Sequence, residues 1–218
     1  MRTWRALPDE RLDSYSPIGL QLVDETTGGP PIGRTEALLD VQQGAGWRET
    51  DVAAVRTGGG VLAYPGLGRR ADVAQPARRY RVRIRAELYR PLYRALQDGL
   101  EFDAWSWNDT HPPPQPALFP QKVDLAPAPG YPFPPHVPVL RGRVVGSGGE
   151  PVADAEVMVA NLERVLTDER GEFALPMRFT TSSVSVLVDA MHQRSGRVGN
   201  VTVTLPAALG QSQTIPIL

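Results

Sequence analysis

The chain has 218 residues, a net charge of −1 and no cysteine, which excludes disulfides and thiolate metal sites as sources of stability. Hydrophobic residues make up 41% and charged residues 22%, as in a globular protein with room for one large or two small domains. Residues 1–137 carry 16 acidic and 16 basic side chains, and residues 138–218 carry 8 and 7. This balance excludes bulk nucleic-acid or anionic-membrane binding as the main role.

Every basic residue except Lys122 is arginine, the bias of a GC-rich coding sequence and of a bacterial or phage source. Residues 1–15 read as a polar arm with one aromatic, Trp4, of the kind that is either disordered or docked on a neighbour. Asp9, Glu10 and Asp13 interrupt any apolar run there, so no signal peptide is expected. No stretch reaches the roughly 18 apolar residues of a membrane helix. The expectation is synthesis in the cytoplasm without membrane insertion, with residence there or in a released, virion-like particle.

From residue 16 the pattern is that of an all-β protein. Strands are predicted over 19–24, 36–42, 53–57, 60–64, 79–87 and 121–126. Alternation is clearest from Arg79 to Arg85, where Tyr80, Val82 and Ile84 face one way and Arg79, Arg81, Arg83 and Arg85 the other. Residues 88–120 read as an insertion, with a short helix over 88–99 starting at Pro91 and stopping at Gly99, then an edge strand over 102–107. Residues 112–138 hold 11 of the 22 prolines, and 128–138 is taken as a stiff polyproline-type linker. Further strands follow over 140–145, 156–161, 164–167, 172–175, 184–189 and 200–205, with an edge strand closing over 214–218. The whole reads as two tandem Ig-like or transthyretin-like β-sandwiches, 16–127 and 139–218.

The two stretches look like copies. Residues 18–41 line up with 140–159, 55–64 with 165–175, 79–85 with 184–189, and 121–126 with 200–205. In the second copy Gly142, Gly149, Pro151, Ala155, Val157, Val159, Thr167, Asp168, Gly171 and Phe173 recur in an order that resembles the carboxypeptidase regulatory-like domain, a transthyretin-like β-sandwich. The resemblance covers about 80 residues. Residues 16–127 look like a divergent relative, with Thr57, Gly60 and Leu62 standing where Thr167, Gly171 and Phe173 stand. What the resemblance implies is a non-catalytic accessory or adhesion module. Such modules occur on secreted enzymes, on surface and receptor proteins, and on tail and baseplate components of phages and phage-like injection particles. The Tyr-Arg-Gly-Ser motif of hydroxyisourate hydrolases and the paired Tyr/His iron set of intradiol dioxygenases, two enzymes on related sandwiches, are not found in the sequence.

Few residues suggest chemistry. His111, His136 and His192 are scattered without metal-ligand spacing. Glu101, Asp103 and Asp109 read as a carboxylate pair for glycoside hydrolysis or as loop charges balancing arginines. Asp168-Glu169-Arg170-Gly171 reads as a turn, and Gly146–Gly149 and Gly58–Gly60 lack the lysine and helix of a phosphate loop. No catalytic, cofactor or metal residue is assigned.

The partner-binding candidates are of three kinds. Arg79, Arg81, Arg83 and Arg85 form a row able to grip carboxylates, or else a solvated outer face that blocks edge pairing. Trp105 and Trp107, two apart, suit sugar stacking, a protein interface or core packing of the insertion. Tyr131 and Phe133 repeat that spacing in the linker and suit a groove between modules, a neighbouring subunit or their own domain. With Trp4, these residues make the expected function a non-enzymatic structural or adaptor role in a phage-tail or phage-like contractile injection particle. The partners would be other protein subunits in a homo- or hetero-oligomer. The alternative is glycan binding or adhesion through the tryptophan pair, with a hydrolase last.

Overall fold

Alternating burial organises the chain. In strand β6 (Arg78–Ala86), Tyr80, Val82 and Ile84 are buried while the arginines between them face outward. A computed structural model describes residues 16–68, 76–105, 120–159, 162–179 and 184–218, and it is all-β. The arm with Trp4, and Trp107, His111 and Asp109, lie outside the described residues.

The other strands of the first half are β1 (Gly19–Asp24), β2 (Thr35–Gln43), β3 (Gly46–Glu49), β4 (Val55–Arg56), β5 (Leu62–Ala63), β7 (Tyr89–Pro91), β8 (Leu100–Ala104) and β9 (Gln121–Pro127). They form a five-stranded sheet, β4-β5-β1-β9-β7, and a four-stranded sheet, β3-β2-β6-β8. Leu20, Leu39, Val82, Ile84, Tyr89 and Leu125 meet in one apolar core between these sheets. The second half contributes β10 (Val139–Val145), β11 (Glu156–Val159), β12 (Glu163–Leu166), β13 (Glu172–Pro176), β14 (Val184–His192), β15 (Arg197–Leu205) and β16 (Gln213–Pro216). They form the sheets β13-β10-β16 and β12-β11-β14-β15. A second core between them includes Leu140, Val157, Phe173, Val188, Val203 and Ile215.

The two halves share a topology, and the sheet registers change one match of the sequence alignment, that of residues 121–126. Leu20 lies beside Leu62 on one side and Gln121 on the other. Gly142 lies likewise beside Phe173 and Gln213. The counterpart of β9 is therefore β16, since both run parallel to the first strand of their half, and not residues 200–205. Those belong to β15, an edge strand that corresponds to β8. Part of the expected insertion is thus a repeated strand. What the first half adds is β4, β7 and the connection from β8 to β9.

In the turn before β5, Gly60 and Leu62 stand at Gly171 and Phe173 as expected, but Thr57 is one residue off its expected match. Thr57 N–H donates to Val61 O, Gly60 N–H to Thr57 O, and Val61 N–H to the Thr57 hydroxyl. Asp168, Gly171 and Glu172 make the same three bonds, so Thr57 stands at Asp168 and not at Thr167. Thr167, fully buried, has another task. Its hydroxyl donates to Val152 O at 2.7 Å and accepts from Ala155 N–H at 2.9 Å, closing the turn into β11.

No helix forms over 88–99. Tyr89 enters the core and Tyr89–Pro91 pairs with β9, leaving one 3-10 turn at Leu92–Ala95. Burial of the Tyr89 ring outweighs the local helix signal, as tertiary packing commonly does. Gly99 is no helix stop either: a Cβ there would lie 2.6 Å from Val82 O, so the residue lets the chain pass close against β6. The stretch 46–49, unassigned from sequence, is β3.

Gly142 is required by packing. A Cβ there would sit 2.3 Å from Gln213 O and 2.7 Å from the Phe173 ring. In the first half the equivalent pair is Leu20 beside Leu62. Gly142→Ala is expected to lower stability by about 1–3 kcal/mol through overpacking between β10 and β16. An unchanged urea midpoint would refute this account of the glycine.

Candidate functional site at the arginine row and the junction of the sheet pairs

The outward face of β6 is a charge ladder. Asp40 on β2 lies opposite Arg81, and Arg81 opposite Glu101 on β8. Asp40 sits in the apolar run Leu38-Leu39-Asp40-Val41, and its side chain is only 2% exposed. Two guanidinium groups hold it. Arg81 donates through Nε and Nη2 to Oδ2 at 3.0 and 2.7 Å, and Arg83 through Nε to Oδ2 and Nη2 to Oδ1, both at 2.7 Å. Burial pushes the Asp40 carboxyl up, but the hydrogen bonds and charges of Arg83 and Arg81 outweigh it and hold the group below the ordinary carboxylate range.

Arg83 also reaches Glu49 at 2.8 Å, Arg79 pairs with Glu101 at 2.8 Å, and Arg81 lies 4.8 Å over the Trp47 ring. The row is therefore largely occupied by its own sheet. Arg85 differs: it is exposed, and among the described residues it makes no ion pair, since Glu36 opposite it is paired with Arg34.

The proline-rich strap is not a free spacer. Tyr131 is buried, its hydroxyl donates to Asp24 Oδ2 at 2.8 Å, and its ring meets Tyr89 and Phe133 edge-on at 5.4 and 4.7 Å. Of the three places open to Tyr131 and Phe133, the structure puts both against the core of the first half. Burial and the bond to the Asp24 carboxylate raise the Tyr131 phenol well above its usual range. Asp24, 1% exposed, also accepts from Tyr89 OH at 3.2 Å and Thr26 N–H at 2.8 Å. Arg141 of β10 donates to Pro129 O at 2.9 Å, which ties the strap to the second half as well.

A junction that sequence reasoning missed joins the halves. Arg90, alternating with the core residue Tyr89, points from β7 into the second half. It donates to Asp154 Oδ1 at 2.7 Å and Glu169 Oε1 at 2.5 Å, and it is 8% exposed. Arg94 approaches Asp154 at 3.3 Å. Burial raises the Glu169 carboxyl, but the Arg90 hydrogen bond, a backbone N–H and the Arg90 and Arg94 charges outweigh it and lower it overall. Arg194 of the second half holds Asp98 at 2.6 Å and Arg94 O, and at a separate cleft Arg178, held by Glu163, donates to Thr26 O while Arg164 holds Glu25 at 3.0 Å. Glu169 belongs to the turn recognised from sequence. Arg90 carries no local motif, and only its burial beside β9 marks it.

A cleft of about 760 Å³ opens where the row meets the junction, with Arg85, Tyr93, Arg94 and Glu169 among its walls. Trp105 is half-buried just past the end of β8, and its expected partner Trp107 lies outside the described residues. Of the histidines, His192 bonds Ser195 through Nδ1 at 2.7 Å in the β14–β15 turn. Among the described residues no three His, Cys, Asp or Glu side chains gather as metal ligands.

Two outcomes follow from these pairings. Asp40 is held below its unfolded value, so the stability this contributes is complete above the ordinary carboxylate range, about pH 4, and is lost as pH falls through the lowered folded value. Asp40→Asn should lose roughly 2–3 kcal/mol at neutral pH and show a flatter acid limb in urea titrations from neutral to strongly acidic pH. Equal acid limbs in the two proteins would contradict this. Arg90→Met keeps the stem but leaves Asp154 with only Arg94, at 3.3 Å, and Glu169 without its 2.5 Å partner, and should cost roughly 1–3 kcal/mol. By calorimetry its unfolding should split into two transitions where the parent shows one; identical traces would remove the junction as a coupling element. The chain matches no protein-family model, no curated protein and no solved structure.

Proposed function

We propose that this chain is a non-catalytic structural or adaptor subunit that works by binding other protein subunits, in a phage-tail or phage-like contractile injection particle. The observation that carries this reading is the junction, where Arg90 is buried between Asp154 and Glu169, with further contacts between the halves from Arg164 to Glu25, Arg178 to Thr26 O and Arg194 to Asp98. Two sheet pairs pinned in this way, with a strap anchored by Tyr131 at one end and Arg141 at the other, present their outer faces at a fixed spacing. That suits a part that passes force between neighbours without hinging. It suits poorly a pair of domains that must close on a substrate. The resemblance of residues 139–218 to modules that occur on tail and baseplate components supports the same reading.

The test is sedimentation of the tagged chain from its own host under conditions that produce particles. Co-sedimentation with assembled particles, and cross-links from the tagged chain to their subunits, are the expected result. Particles that assemble normally without the chain, while it stays in the slow fraction, would sink the proposal.

A further inference from the structure

The edges of the four sheets are treated unequally. An exposed edge strand offers unpaired N–H and C=O groups to any passing strand, and proteins blunt such edges with charge, proline or shortness. Edge β3 carries Arg48 and Glu49, β8 carries Glu101 and Asp103, and β12 carries Glu163 and Arg164. Edge β7 has Arg90 and Pro91, β13 has Glu172 and Pro176, β16 has Pro216, and β4 is two residues long. Edge β15 has its one charge, Arg197, at its first residue, and the eight residues from Val198 to Leu205 that follow contain neither charge nor proline. Its counterpart in the first half is the acidic β8, so the difference is not a property of the shared topology.

The main chain of β15 is available where it matters. Val198 exchanges hydrogen bonds with Leu218 at 3.2 and 3.1 Å, on the side away from β14. By alternation Thr202 and Thr204 turn their N–H and C=O groups to that same side, and β15 has no ladder there among the described residues. Exposed apolar side chains gather on the same hairpin: Val184, Leu187 and Val198, with Leu218 beside them.

We propose that two copies of this chain join edge to edge through β15, antiparallel about a two-fold axis at Val203. Thr202 of each copy then exchanges main-chain bonds with Thr204 of the other, and the two β12-β11-β14-β15 sheets become one. The edge is complementary to itself. Threonine meets threonine on the outer face, a favourable cross-strand pair, valine meets valine on the core face, and no like charges are opposed. Leu187, opposite Thr202 in register, extends the apolar row across the seam. A two-fold contact of this kind closes on itself and does not propagate.

The inference goes beyond the particle assignment and is tested separately from it. Sedimentation equilibrium of the purified full chain, from low to high micromolar, should show a reversible monomer–dimer equilibrium. The Thr202 N–H points away from β14, so Thr202→Pro removes no bond of its own sheet and should weaken the dimer at least about tenfold with the melting temperature unchanged. Thr202→Lys sets like charges near the seam and should weaken it too, which keeps the test open if the proline variant misfolds. A parent chain monomeric throughout, or a dimer indifferent to both variants, overturns the pairing. A monomer that instead accepts an extended segment of another subunit on this edge overturns it equally, while leaving the particle reading standing.

Discussion

Each half of the molecule is closed by its last strand running parallel to its first, β9 beside β1 and β16 beside β10. Parallel neighbours cannot be joined by a hairpin, so the intervening chain must leave the sheet and return. Here it builds the whole opposite sheet on the way. That constraint puts β1 and β10 in the interior of their sheets, between an antiparallel and a parallel neighbour, and places both cores. It also brings the end of β9 beside Asp24, so the strap that follows can dock Tyr131 onto that buried carboxylate.

Arginine does most of the long-range polar work. With a single lysine in the chain, nearly every ion pair uses a planar guanidinium able to donate two bonds at once. Arg81 and Arg83 share Asp40 across two strands, Arg178 clasps Glu163, and Arg90 bridges Asp154 and Glu169. Buried pairs of this type add little net stability over apolar packing, but breaking one is costly because a charge is left stranded. Their effect here is to specify how the halves meet. Among the described residues the buried Arg90 Nε has no hydrogen-bond partner, so part of the desolvation cost is not recovered there.

The strands were legible where period-two alternation is strong, as in β6 and β1, and where glycine marks a turn, as at Gly171 with φ of 72°. Legibility failed where a residue's role depends on a distant surface. Tyr89-Arg90-Pro91 looks locally like the start of a helix, and only the core that takes Tyr89 makes it a strand. The arginine row was visible, but Asp40, which occupies half of it, stood out only as a lone carboxylate in an apolar run facing that row. Arg90 gave no local sign at all.

The sequence by itself determined the all-β class and the positions of most strands, because alternation and turn chemistry are local properties written residue by residue. Only the tertiary structure decided which strands of the two halves correspond, that the strap packs on the first core, and that the halves are pinned together through Arg90. Those are matters of pairing between residues far apart in the chain. Hydrogen-bond register and the burial of opposite charges resolve them, and neither has a counterpart in local pattern.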